Sequence, residues 1–392
     1  PVRLPWAAMG PATVLNLPFG SLYAFSVFLK PFEASLGVSR VEMSGVFAVA
    51  TVTFTAAMVL APYLFGLASA PVLIALCAAV AAAGIVITAL AGRLADAMTG
   101  YGTRYDSGGG VAYIAMQQGT NLQLRSHHGL VNGYIVSLYP AGAMIAVPLF
   151  GLTLALWGLR ATLLGLAATI AVAGAIAVLC VIVGKVRLQA AVGAAPASGE
   201  RPRTRVFWQM AAVFFLAAAA GLTVLSQAVG IIVAYGGGTG LALFATTAIT
   251  GAIAAARLCG GGMLDRFSVP SVMAFAHVWS LVGAVGLTLF PHPWVAAIGL
   301  GMIGMGYGFI SGSTAGGVAY YWPSADYGRI ASRLYIAWCV AALSLPVLAG
   351  HIYDLTGGYA TAVVIAGAGN VLGIVIALGL PRQAAKTAAG AG

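Results

Sequence analysis

Two arginines and one aspartate stand in stretches of the chain that are otherwise apolar. Arg104 and Asp106 fall in Gly100-Tyr101-Gly102-Thr103-Arg104-Tyr105-Asp106-Ser107-Gly108-Gly109-Gly110, between two long apolar runs. Arg257 closes Ile249-Thr250-Gly251-Ala252-Ile253-Ala254-Ala255-Ala256-Arg257-Leu258 and is the counterpart in the second half. A charged side chain at the centre of a bilayer costs about 2.5–3.5 kcal/mol on insertion scales, so such residues face a bundle interior or a water-filled path. The chemistry on offer is anion recognition, because a guanidinium stays charged in a low-dielectric cavity and grips a carboxylate with two parallel N–H donors. Asp106 offers proton uptake and release, as a buried carboxyl favours its neutral form. Spaced i, i+2, Arg104 and Asp106 lie roughly 200° apart on a regular helix. Both reach one cavity only if the helix is distorted, which Gly108, Gly109 and Gly110 permit. In the competing structural reading, Arg104 pairs with Asp106 or another helix, and Arg257 pairs with a gating carboxylate.

Polar and aromatic residues in the same runs could shape a pocket. Asn16 and Tyr23 are seven residues apart and share a helix face, and Tyr113 follows Arg104 by nine residues on a broadly similar side. Gln227, His277, Tyr307, Tyr335 and Trp338 are the candidates in the second half. His277, with an ordinary pKa near 6.5, is a second candidate for proton coupling. Taken singly, each is explained by packing or by a satisfied interhelical hydrogen bond before it is explained as a ligand. Gly-x-Ser-x-Gly elbows, His-Glu-x-x-His and Walker loops are absent, and Cys77, Cys180, Cys259 and Cys339 lack metal-ligand spacing. The expectation is a protein that is not an enzyme, with neither cofactor nor metal, and with no site for ATP.

The elements that must position these residues follow from composition. The 392 residues are 61% hydrophobic and 7% charged, against about 25% charged in soluble domains. A spanning helix needs about 20 apolar residues. That length marks segments near 6–30, 41–66, 70–92, 95–121, 129–153 and 158–185, then 206–236, 239–263, 269–290, 293–321, 328–352 and 357–381. The fold class expected is therefore an all-α membrane protein of about twelve transmembrane helices. Residues 1–185 form an N-terminal six-helix bundle, 186–205 a basic cytoplasmic linker and 206–392 a C-terminal six-helix bundle. With the N-terminus in the cytoplasm, Arg3, Arg125, Lys185, Arg187, Arg201, Arg203, Arg205, Arg266, Arg329, Arg333, Arg382 and Lys386 lie on that side, twelve of the 18 basic residues. The positive-inside rule thus places both termini in the cytoplasm. The net charge of +10 is explained by this topology and does not call for nucleic acid.

Six helices, a basic central loop and six more resemble the major facilitator superfamily, and local motifs carry the resemblance. Gly261-Gly262-Met263-Leu264-Asp265-Arg266 is similar to the G-x-x-x-D-R signature after an even-numbered helix, and Trp157-Gly158-Leu159-Arg160-Ala161-Thr162 to the stretch at the fifth-to-sixth turn. Tyr23-Ala24-Phe25-Ser26-Val27-Phe28-Leu29-Lys30-Pro31, Gly108-Gly109-Gly110-Val111-Ala112-Tyr113 and Gly350-His351-Ile352-Tyr353-Asp354-Leu355-Thr356-Gly357-Gly358-Tyr359 resemble the oxalate/formate antiporter and monocarboxylate transporter branch. The resemblance implies that Arg257, in helix eight, is the anion anchor; Asp265 and Arg266, at the membrane edge, read as an interhelix latch that serves gating. The loop Ala61-Pro62-Tyr63-Leu64-Phe65-Gly66 lacks the Asp–Arg pair usual at that place in the N-terminal half, and Trp338 stands where oxalate-type members carry a lysine.

The combined expectation is a secondary active transporter of a small organic anion, a mono- or dicarboxylate, in a bacterial inner membrane. Arg104 and Arg257 would clamp the anion from opposite bundles as access alternates. Proton symport and anion exchange are both open, and a monomer suffices. Two rivals stand beside it: efflux of an amphipathic compound, and a transport-inactive membrane scaffold or sensor.

Overall fold

The structure, a computed structural model, describes residues 6–124, 126–190 and 204–382. Most of the expected linker, and both chain ends with Arg3 and Lys386, lie outside the described residues, as does Arg125. Among the described residues every regular element is a helix.

The first span begins as α1 (Trp6–Phe19), tightens to a 3₁₀ segment over Gly20–Phe28 and ends as α2 (Leu29–Leu36). It is longer than the apolar run suggests, because a left-handed Gly37 (φ 66°), free of the Cβ clash, terminates it. Next, α3 (Arg40–Leu64) opens on a capping box in which Ser39 and Glu42 satisfy each other's backbone N–H. α4 (Ala70–Ala89) buries Leu73, Ile74, Cys77, Ala78 and Ala81 while exposing Val72, Leu76 and Val80. Apolar residues on the outer face are what a surrounding bilayer requires, since hydrocarbon replaces water there.

The fourth span departs from the single helix expected at 95–121. It consists of α5 (Leu94–Ala97), a π-helical stretch over Met98–Tyr105, and α6 (Asp106–Gln123). A π turn accommodates one extra residue. Here it coincides with a close approach to α4, where a Cβ on Gly84 would lie 2.6 Å from the Gly100 carbonyl oxygen.

α7 (His128–Val183) runs for 56 residues but breaks at Gly158 (φ 76°, ψ 177°), which divides it into two spans. α8 (Thr204–Ala234), α9 (Thr239–Met263), α10 (Val269–Leu289), α11 (Pro293–Tyr321), α12 (Tyr327–Thr356) and α13 (Ala360–Leu378) complete the chain. Ten helices among the described residues are long and apolar enough to cross a membrane. Dividing α7 at Gly158 makes eleven, and the glycine-rich fourth span, too polar to be counted by composition, makes twelve. The chain is a multi-pass membrane protein.

Two compact units emerge. The first gathers the described residues of Pro1–Ser126, Ser137–Gly193 and Ser324–Cys339; the second gathers those of His127–Val136, Ala194–Pro323 and Val340–Gly392. α7 therefore starts in the second unit, and α12 starts in the first. Within the first unit α3 and α4 pack on α6; within the second α11 packs on α8, α9 and α10.

Candidate functional site

Arg257 sits in the last third of α9 and is only 4% exposed. Its Nη1 donates to the carbonyl oxygen of Val136 at 3.0 Å and its Nη2 to the hydroxyl of Tyr307 at 3.0 Å. The guanidinium carbon also lies 5.2 Å from the Tyr307 ring centroid, within cation–π range. Tyr307 is itself buried. Glycines fix this arrangement at the backbone. A Cβ on Gly312 of α11 would collide with the Arg257 carbonyl, and one on Gly133 of α7 would lie 2.7 Å from the same oxygen. α9 is thus wedged between α7 and α11 at the residue that carries the charge. These two neutral oxygens orient the guanidinium.

Asp106 opens α6 and is 2% exposed, and its Oδ2 has no hydrogen-bond partner. Next to it, the Tyr105 hydroxyl bonds Ser21 Oγ at 2.9 Å and donates to the Phe19 carbonyl at 3.1 Å. Asn16 is fully buried with both carboxamide atoms unpartnered. Arg104 differs: it is exposed, and its Nη1 turns back toward the Thr99 carbonyl of its own span, at 3.5 Å. The π-helical stretch leaves Arg104 and Asp106 on different surfaces, one accessible and one buried.

The first unit also brings four of the aromatic residues singled out above into one cluster. The Tyr113 and Tyr335 hydroxyls are 2.6 Å apart and their rings 5.5 Å apart. Trp338 lies 6.4 Å from Tyr335 and 6.5 Å from Tyr23. Two residues that sequence reasoning missed complete it. Tyr139 is 4.8 Å from Tyr113, and Phe54 is 5.7 Å from Tyr139 and 6.3 Å from Trp338. Nothing in their local sequence distinguishes Phe54 or Tyr139 from packing residues, because the cluster exists only once helices one, two, four, five and eleven are packed.

The remaining candidates serve other contacts. His277 on α10 is buried, and its Nδ1 lies 2.9 Å from Asn370 Oδ1 on α13. The Asn370 amide donates to the Ala366 carbonyl, so its Oδ1 is free to accept, and Nδ1 carries the imidazole proton. Asp265, just past α9, accepts from the Gly129 and Leu130 backbone N–H groups at 2.9 and 3.0 Å and from the Tyr320 hydroxyl at 2.9 Å. A carboxylate there satisfies orphan donors at the start of α7 and complements the helix dipole. Arg266 is exposed. The Gln227 carboxamide oxygen accepts from the Tyr359 hydroxyl at 3.2 Å.

A cavity of about 200 Å³ lies elsewhere in the second unit, among α8, α11, α12 and α13. Leu216, Thr223, Ile303, Leu348, Tyr359 and Val363 are among its lining residues, whereas Arg257 and Tyr307 are not.

Solved transporters share this architecture. The E. coli fucose:proton symporter FucP is 14% identical, covering 97% of this chain and 100% of its own, with a TM-score of 0.70. The proton:xylose symporter XylE is 13% identical over 97% of this chain and 96% of its own, at 0.67. The human organic anion transporter MFSD10 is 13% identical over 94% and 99%, at 0.68. No protein-family model matches the sequence, and neither does any curated protein. At these identities the likeness is one of architecture, and the chain has the fold of the major facilitator superfamily transporters.

Proposed function

We propose that the protein is a secondary active transporter that moves a small organic anion by alternating access of two bundles, residues 1–185 and 206–392. The observation that carries this reading is Arg257, a buried guanidinium held at 3.0 Å by two neutral oxygens. A guanidinium in a membrane-spanning helix stays charged and offers planar, two-pronged N–H donation, which suits a substrate carboxylate. The solved neighbours whose names mention symport or an organic anion support the class of activity.

Asp106 is the proton carrier in this account. Its buried Oδ2 has no hydrogen-bond partner, and an ionised carboxyl so placed is costly unless a proton neutralises it. Exchange of one anion for another remains the alternative coupling. The aromatic cluster of Tyr23, Tyr113, Tyr335 and Trp338, with Asn16 beside Phe19 in the same span, lines the path. Asp265 and Arg266 act at its gate, and His277 is a second, weaker candidate for proton coupling. Arg104, exposed on its span, joins as the second cation only for dicarboxylates. Monocarboxylate transport is therefore insensitive to Arg104→Gln.

A second reading, efflux of an amphipathic compound, is favoured by one observation, the apolar cavity in the second unit. A thermal-unfolding panel on the purified protein separates the two. Stabilisation by mono- and dicarboxylates, and not by neutral sugars or hydrophobic amines, supports the anion reading. Stabilisation by hydrophobic amines alone supports efflux.

A further inference from the structure

The two units solve the same problem with different chemistry. In the second unit a carboxylate, Asp265, holds the first turn of α7. In the first unit, the loop 61–66 has no carboxylate to hold the first turn of α12. Apart from the Arg329–Asp326 ion pair at 2.7 Å within that turn itself, the contacts reaching it from other elements are neutral or exposed. The Gln118 Nε2 donates to the Ala325 carbonyl at 3.3 Å, in the turn leading into α12. The Tyr327 hydroxyl donates to Gln117 Oε1 at 3.3 Å, and Arg333 Nη2 donates to the Tyr63 hydroxyl at 3.4 Å.

Gln118 does more than reach α12. Its Nε2 also donates to the Gln189 carbonyl at 3.0 Å, and its Oε1 accepts from the Gln189 backbone N–H at 3.2 Å. Both atoms of one carboxamide thus pair with both main-chain groups of one residue, as a neighbouring strand would. The segment so held leaves α7 through Lys185, whose φ of 48° turns the chain back. Val186 is then buried against Gly119, where an added Cβ would lie 2.7 Å from Val186 Cγ1. Gln123 Nε2 donates to the Gly184 carbonyl at 3.2 Å. Gln118 itself is 1% exposed.

We propose that Gln118 is an uncharged latch that ties residues 186–190, strapped along α6, to the turn before α12, in place of the carboxylate missing from the loop 61–66. A neutral amide suits this duty. It supplies a donor and an acceptor to backbone groups that need both, and it breaks and reforms without leaving a charge buried. On the transport reading above, the latch opens in each cycle.

Hydrogen exchange followed by mass spectrometry, on the full chain in nanodiscs without any ligand, tests it. In Gln118→Ala, exchange in peptides covering 186–190 and 324–330 rises together, by about tenfold for the loss of one net hydrogen bond. Gln118→Glu keeps the acceptor for the Gln189 N–H but loses the donor to both the Gln189 and Ala325 carbonyls. The segment 186–190 thus keeps one of its two bonds to residue 118, while 324–330 loses its single one and loosens more. Gly119→Val lifts Val186 with Gln118 intact, and serves if the glutamine variants do not fold; a rise at 324–330 accompanies the rise at 186–190. Unchanged protection at 324–330 in these variants, or at 186–190 in Gln118→Ala, overturns the latch. Because exchange is read without substrate, that result leaves the transport reading standing, and failure of transport leaves the latch standing.

Discussion

Replacing Arg257 by lysine keeps the charge and removes the geometry. The guanidinium places two N–H donors on two oxygens at once, Val136 O and the Tyr307 hydroxyl, each at 3.0 Å. A lysine ammonium on a flexible stem reproduces at most one of these directions. A hydrogen bond to a charged group contributes about 1.5–3 kcal/mol. Losing one where both partners are buried therefore weakens the anchored state by that amount, or about 10- to 100-fold in apparent affinity. Tyr307→Phe removes the same Nη2 contact from the other side and has an effect of the same order. Since the two substitutions delete one shared interaction, the double variant falls well short of the product of the two losses. The assay is concentration-dependent counterflow in proteoliposomes at equal reconstituted protein, with thermal unfolding to verify that each variant is folded. Wild-type kinetics in Arg257→Lys, or fully multiplicative losses in the double variant, would refute the reasoning.

Three further perturbations probe other links. Asp106→Asn abolishes accumulation driven by a proton gradient yet retains exchange between the two sides; loss of both activities would make Asp106 structural. Gly312→Ala forces a Cβ into the Arg257 carbonyl, an overpacking of about 1–3 kcal/mol that lowers the unfolding temperature. Gly301→Ala on the same helix meets its nearest neighbour, Ile249, only at 4.0 Å, so an equal drop there would contradict the close-approach argument. Asp265→Ala leaves the Gly129 and Leu130 N–H groups and the Tyr320 hydroxyl without their acceptor, a loss of about 0.5–2 kcal/mol. It also raises hydrogen exchange over 127–133, whereas Arg266→Gln, at an exposed position, leaves that exchange unchanged.

The spans were legible because each is a run of about 20 apolar residues, a signal that needs no partner. Gly158 was legible as a break for a similar local reason, lying in a turn motif between two such runs. The fourth span was placed, but the π turn inside it was not. That turn coincides with close packing of Gly84 on Gly100, an approach that a glycine-rich sequence permits without announcing it. Arg257 and Tyr307 were both singled out in the sequence, but the Val136 carbonyl beside them has no side-chain signature. The 200° separation expected for Arg104 and Asp106 anticipated two different surfaces, one of which the structure buries. Phe54, Tyr139 and Gln118 were invisible for a common reason: each acquires its role from helices distant in sequence.

The most direct measurement is counterflow of radiolabelled mono- and dicarboxylates in proteoliposomes, comparing wild type with Arg257→Gln. The account predicts saturable exchange of at least one carboxylate by wild type and its loss in the variant at equal reconstituted, folded protein. Exchange of the same carboxylate at wild-type rate by Arg257→Gln would contradict it.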